Sequence, residues 1–292
     1  MPPLDPDLLT LLHRYRIEVR TNREKAYAGM HRSHHPGDGL EFVEFREYHP
    51  GDPIRFLDWR VLARTDRPYV RRFGHETAVL AHVYIDASAS MGVALGGPSK
   101  LAFASELATY LAFVLAHQGD RVRVSTFRED RVAPLPFGGG SDAVRGLSAA
   151  LSAVVPRGTS DLAGVLRDVE VERPQLVLLL SDLLIDGKPL DRLLRVARME
   201  GVDLRLLHLL DRRELAFDFD AYTRFEDPED RSFKLEVHPR SIRDRYLDAL
   251  AGYLRRLEHA AADQSAAYAR FATDQPMRPT VLRYLEEGRG GT

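Results

Sequence analysis

The chain contains no cysteine, which excludes disulfides, thiolate zinc sites and a cysteine nucleophile but leaves the redox compartment open. Lysine is almost as scarce. It occurs only at Lys25, Lys100, Lys188 and Lys234, so arginine supplies nearly all of the 41 basic side chains. Neither sign of charge dominates. A formal net charge of -2 provides no basic field for nucleic acid and no acidic excess of the kind that keeps chains disordered. No apolar run approaches the length needed to span a bilayer. The opening MPPLDPDLLTLLHRYR mixes acids with its apolar residues and reads neither as a signal peptide nor as an anchor, so a soluble, cytoplasmic protein is expected. Apolar residues make up 44% of 292, enough to bury one large core or two unequal ones.

One stretch organises the rest. An apolar run from Ala78 to Ile85 stops at Asp86 and continues as Ala87-Ser88-Ala89-Ser90-Met91-Gly92. A run without alternation predicts a strand buried on both faces. In open α/β sheets ligands bind outside the carboxyl ends of strands, so Asp86, Ser88 and Ser90, two residues apart, are candidate oxygen donors for a hard cation. Read singly, they also describe a strand end followed by a serine-rich turn.

In chain order, Leu4 to Tyr15 predicts a short amphipathic helix, and Arg20 to Gly39 a polar loop. His31, His34 and His35 in that loop lack a fourth partner at zinc spacing. From Leu40 to Phe73 short segments around a Pro50-Gly51-Asp52 turn predict a small β-rich layer, whose arginines have acidic neighbours and favour internal ion pairs. Strand–helix alternation then begins. Helices are predicted over Leu101–Gln118, Ser141–Val155, Leu162–Val169 and Pro189–Glu200, and strands over Val122–Phe127, Arg131–Leu135, Gln175–Leu180 and Leu204–Leu210. Asp220–Val237 reads as a hairpin turning at Asp227-Pro228-Glu229-Asp230, Ser241–Phe271 as helix, and Pro279–Glu287 as a last helix. This pattern predicts an α/β fold, a doubly wound and mostly parallel sheet, in residues 78–292, preceded by a helix, loop and β-rich layer in residues 1–77. Asp182 closes QLVLLL as Asp86 closes AVLAHVYI, and Thr159 sits between Gly158 and Ser160-Asp161 at a helix start.

The set Asp86-x-Ser88-x-Ser90, Thr159 and Asp182 resembles the metal-ion-dependent adhesion site of von Willebrand factor type A domains. The segment Glu41-Phe42-x-x-Phe45-Arg46-Glu47-Tyr48-x-Pro50-Gly51-Asp52, continuing to Asp58-Trp59 and Ala63-Arg64, resembles the signature of the bacterial domain-of-unknown-function 58 family, whose members carry a type A-like domain. The resemblance implies a Rossmann-like sheet with one antiparallel edge strand and a divalent metal, Mg²⁺ or Mn²⁺, at its carboxyl edge. It also implies association with MoxR-type AAA+ ATPases. Asp86, Ser88, Ser90, Thr159 and Asp182 are then the expected metal ligands, and an Asp or Glu of a partner protein the expected external ligand. The loop departs from Asp-x-Ser-Gly-Ser at Ala89, where alanine enters positive φ less readily than glycine.

The resulting expectation is a non-enzymatic, metal-dependent adaptor. The rival is a Mg²⁺-dependent phosphatase with Asp86 as nucleophile, although Ser88 stands where such enzymes place a second acid. Gly92 to Lys100 lacks the Gly-Lys-Ser/Thr order of a P-loop, because Pro98 interrupts and Ser99 precedes Lys100. Ser88 and Ser90 lie outside any Gly-x-Ser-x-Gly elbow, and His82 and His208 sit inside predicted strands as core residues.

Overall fold

The computed structural model describes residues 4–20, 40–48, 57–65, 67–75, 78–138, 141–185, 187–219, 222–230, 232 and 234–287. The chain divides into two units, a smaller one of Lys25–Ala78 and a larger one of Met1–Glu24 with Val79–Thr292. Helix α1 (Pro6–Leu12) is part of the larger unit, not of an N-terminal region ending at residue 77. Asp5 caps it, its Oδ1 accepting the Asp7 and Leu8 N–H groups at 2.9 and 3.2 Å. Leu8 and Leu12 are buried, and the Asp5 N–H donates to the Tyr110 hydroxyl at 2.8 Å.

In the smaller unit β1 (Leu40–Glu47) and β2 (Tyr69–His75) pair antiparallel, with a bulge between Phe42 and Glu44. Between them lies helix α2 (Trp59–Thr65), where sequence alone suggests only β structure. Asp58 explains the helix: its Oδ1 accepts the Arg60 and Val61 N–H groups at 2.9 and 3.2 Å, as an N-cap does. The histidine-rich loop with His31, His34 and His35 and the Pro50-Gly51-Asp52 turn lie outside the described residues.

The larger unit continues through β3 (Leu80–Asp86), α3 (Lys100–His117), β4 (Arg121–Arg128), β5 (Arg131–Leu135), α4 (Ser141–Ser152) and α5 (Ala163–Glu172). Next come β6 (Leu176–Ser181), α6 (Gly187–Glu200), β7 (Asp203–Leu210) and α7 (Arg212–Ala216). The hairpin β8 (Thr223–Glu226) and β9 (Lys234–Val237), then α8 (Pro239–Asp263), β10 (Ala267–Ala272) and α9 (Met277–Glu287), complete it. The main sheet has the order β10-β7-β6-β3-β4-β5, parallel throughout except for the edge strand β5. Among the described residues no helix is long and apolar enough to cross a membrane.

Strand pleating splits the continuous apolar runs between two cores. Val83, Ile85, Leu178 and Leu180 face one core with Leu107, Leu111 and Leu147. Tyr84, Val177 and Leu179 face the other with Val165, Leu193 and Leu194. Helix α3 is buried on almost every side because α1, α4 and α9 flank it, so it carries little amphipathic character. Strand β10 differs from the sequence expectation of helix through Phe271. Helix α8 stops at Asp263, Ser265 turns the chain at φ 59°, and Ala267–Ala272 pairs parallel with Arg205–Leu210. The alanine-rich AAYARFA continues a helical period, and only the open edge of β7 draws it into the sheet.

If α1 is part of the larger core, Leu12→Ala, at a fully buried position, will cost about 2–5 kcal/mol in urea unfolding with little change in m. A loss of about 0.5 kcal/mol or less, as for a surface substitution, would make the helix an appendage.

Candidate metal centre

Strands β3 and β6 are neighbours, but the chain leaves β3 towards β4 and returns across the sheet to reach β6. At such a switch point the loops diverge and leave a crevice at the carboxyl ends. Asp86 ends β3, Ser181 ends β6, and Asp182 follows; both aspartates are fully buried. Asp86, Ser88, Ser90 and Asp182, singled out in the sequence, all lie at the carboxyl ends of β3 and β6.

Asp86 is held from three directions. Its Oδ1 accepts the Ser88 N–H at 2.9 Å, and its Oδ2 accepts the Ser160 and Ser181 hydroxyls at 2.6 and 2.7 Å. The Ser88 and Ser90 hydroxyls, both buried, share a hydrogen bond of 3.1 Å. Ala89 opens a 3-10 turn, Ala89–Gly92, and needs no positive φ, so alanine suits this loop. The loop is tied to the next one by Ala89 N–H to the Gly158 carbonyl and Arg157 N–H to the Ala87 carbonyl, each 3.0 Å. A Cβ at Gly92 would lie 2.9 Å from Pro156 Cγ, so the two loops approach too closely for a side chain there.

Thr159 is not brought into this cluster. Its side chain is exposed, and the next residue, Ser160, supplies the hydroxyl that meets Asp86. Gly158 takes φ 74° immediately before, and this turn decides which of two adjacent hydroxyls points inward. Asp182, expected to hold a coordinated water or contribute one oxygen, is paired with a cation of the chain itself. Its Oδ2 accepts the Lys100 ammonium at 2.8 Å, and Oδ1 accepts the Leu184 N–H at 3.3 Å. Lys100 is buried and donates further to Glu214 Oε1 at 2.9 Å. Glu214 also accepts the Asp211 N–H at 2.8 Å, in the capping box that starts α7. Ser160, Ser181 and Lys100 are the contacts of the two aspartates that the sequence does not single out. In the sequence Lys100 suggests only a P-loop lysine, and the two serines adjoin Thr159 and Asp182.

Burial pushes the Asp86 carboxyl up to about 6; the Asp182 charge adds to this, while the hydrogen bonds from Ser160, Ser181 and Ser88 partly offset it. Burial alone would lower Lys100, but Asp182 and Glu214 hold its ammonium above the usual lysine range. The centre therefore keeps uncompensated negative charge beside four serine hydroxyls. Among the described residues no three His, Cys, Asp or Glu side chains group as metal ligands. The available donors are instead Asp86 and the hydroxyls of Ser88, Ser90 and Ser160, a hard-oxygen set that fits Mg²⁺ or Mn²⁺. His82 and His208 take the core role expected of them. Their Nδ1 atoms lie 2.9 and 2.7 Å from the Tyr84 and Tyr268 hydroxyls, and burial pulls His208 down to about 4.

Two outcomes follow. An acid with a raised folded value costs stability when ionised, so lowering the pH from 7.5 to 4.5 returns about 2 kcal/mol through Asp86. His208 acts in the opposite direction, because the unfolded chain binds its proton first. Asp86→Asn isolates the first effect. In EDTA its stability relative to wild type should rise by about 2 kcal/mol from pH 4.5 to 7.5, and a flat difference would refute the raised value. Lys100→Met leaves Asp182 buried without its cation and should cost about 3–5 kcal/mol; Lys100→Met with Asp182→Asn should recover much of that loss.

The family model described as a protein of unknown function, DUF58, matches residues 44–253. Three solved structures are similar at low identity. An aerotolerance-related membrane protein from Bacteroides fragilis is 16% identical over 72% of this chain and 100% of that one, with a TM-score of 0.47. BatB from Bacteroides thetaiotaomicron is 13% identical over 73% and 100%, with a TM-score of 0.44. The SpRpn10 VWA domain is 13% identical over 74% and 100%, with a TM-score of 0.42. No curated protein matches the chain. The family model spans well over half of the sequence, and the chain, with its mostly parallel α/β fold, is a member of the DUF58 family.

Proposed function

We propose that the chain is a protein-interaction module in which a divalent cation at the β3–β6 edge captures an acidic side chain of a partner. The observation that carries this reading is the buried Asp86 carboxylate, set among the Ser88, Ser90 and Ser160 hydroxyls with its charge incompletely balanced. Mg²⁺ or Mn²⁺, when bound, supplies an electrophilic position that a carboxylate can fill. The chain's residues do the positioning. Ser181 and Ser160 orient Asp86, Ser88 and Ser90 present neighbouring hydroxyls, and Lys100 fixes Asp182 so that only part of the edge charge is left for the cation. The family resemblance points to a MoxR-type AAA+ ATPase as the partner.

The phosphatase alternative needs Asp86 as a nucleophile. Complete burial, with both carboxylate oxygens accepting hydrogen bonds, argues against that role. Hydrolysis of p-nitrophenyl phosphate with Mg²⁺, lost in Asp86→Asn, would restore it.

Binding of the purified chain to the MoxR-type ATPase of the same genome, measured by titration calorimetry in excess Mg²⁺, should weaken by about 2 kcal/mol or more, roughly thirtyfold, in EDTA. Asp86→Ala, shown to be folded by circular dichroism, should lose as much with Mg²⁺ present. Equal affinity under all three conditions would place the interface elsewhere.

A further inference from the structure

The β8–β9 hairpin carries an acidic tip, Asp227-Pro228-Glu229-Asp230, to the same edge. The tip is held in shape by Asp227, whose Oδ1 accepts the Glu229 and Asp230 N–H groups at 2.8 and 3.3 Å. Glu229 then reaches the second loop, where its Oε2 accepts the Ser160 N–H at 3.3 Å. Ser160 is also the residue whose hydroxyl donates to Asp86, so one residue touches both carboxylates. The other oxygen of the glutamate, Oε1, is buried and accepts no hydrogen bond.

A buried carboxylate oxygen without a donor costs free energy comparable to a lost charged hydrogen bond. None of the described side chains satisfies it. The surroundings say what kind of group this is. Glu229 and Ser90 together line a groove of about 310 Å³, whose other walls are Leu184, Phe225 and Leu235 with the tip residues Glu226, Asp227 and Pro228. Among the described residues no basic side chain lines that groove, although Lys100 answers Asp182 within the same edge. The groove thus joins Glu229 to Ser90, and among the described residues that line it there is no cation.

Resting on the metal-site reading above, we propose that Glu229 is a further ligand of the divalent cation, and that it holds the coordination position an incoming carboxylate would take. The hairpin is then a built-in competitor. A partner's Asp or Glu gains access only by displacing Glu229, beside apolar walls of which Leu184 and Leu235 are already exposed. Because the tip is a turn and its substitution removes no buried apolar group, variants at Glu229 should fold.

The test uses the full chain, stripped with EDTA and titrated with Mn²⁺ while the electron paramagnetic resonance signal of free Mn²⁺ is followed. The probe of an open position is ¹³C-labelled acetate, whose carboxylate line broadens when it coordinates bound Mn²⁺. Glu229→Ala should weaken Mn²⁺ binding by roughly tenfold. At equal Mn²⁺ occupancy it should broaden the acetate line several-fold more than wild type does, with Glu229→Gln in between. Mn²⁺ affinity within about twofold of wild type, or acetate broadening unchanged in Glu229→Ala, overturns the inference and leaves the metal site standing. If wild type binds no Mn²⁺, or Asp86→Asn binds it as well as wild type, the metal site itself fails and the role of Glu229 falls with it.

Discussion

Burying two aspartates at adjacent strand ends is the constraint on which the larger unit turns. Each carboxylate removed from water costs several kcal/mol unless donors or a cation replace the lost hydration. Asp182 has the cation, in Lys100 at 2.8 Å. Asp86 has donors only, one N–H and two hydroxyls, and its raised proton affinity is the measure of what they leave uncompensated. The two neighbours therefore have different tasks. Asp182 has a cation, which it shares with Glu214, and Asp86 has none.

Lys100 shows how far the fold goes to keep this arrangement. It is the first residue of α3, at a helix N-terminus, where the macrodipole favours anions over cations. A buried ammonium there makes sense only because two carboxylates, from the end of β6 and the start of α7, converge on it. That pairing joins three elements far apart in sequence. Leu183, in the left-handed region at φ 53°, completes the turn that aims Asp182 towards the lysine and returns its own N–H to Ser181 at 2.9 Å.

Much of the sheet could be read directly. The runs before Asp86 and Asp182 are apolar without alternation, which only a strand covered on both faces explains, and their abrupt acidic ends marked the carboxyl edge. Local signals failed where a distant partner set the outcome. Ala267–Ala272 carries an alanine-rich helical pattern and became a strand at the open edge of β7. Trp59–Thr65 lay in a stretch of aromatic and β-branched residues and became a helix once Asp58 capped it. Thr159 and Ser160 offer the same hydroxyl chemistry side by side, and no pattern in the chain states which faces Asp86.

By itself, then, the sequence determined the alternation of strands and helices, the Asp-x-Ser-x-Ser loop and the family, because periodicity, hydroxyl spacing and motif order are properties of the chain. Tertiary structure alone decided how charge is shared at the edge. Lys100 meets Asp182 across 82 positions, Ser160 meets Asp86 across 74, and Glu229 reaches Ser160 across 69. Such pairings depend on strand order and on where a loop takes positive φ, and the electrostatics of a buried site follow from distances that only folding sets.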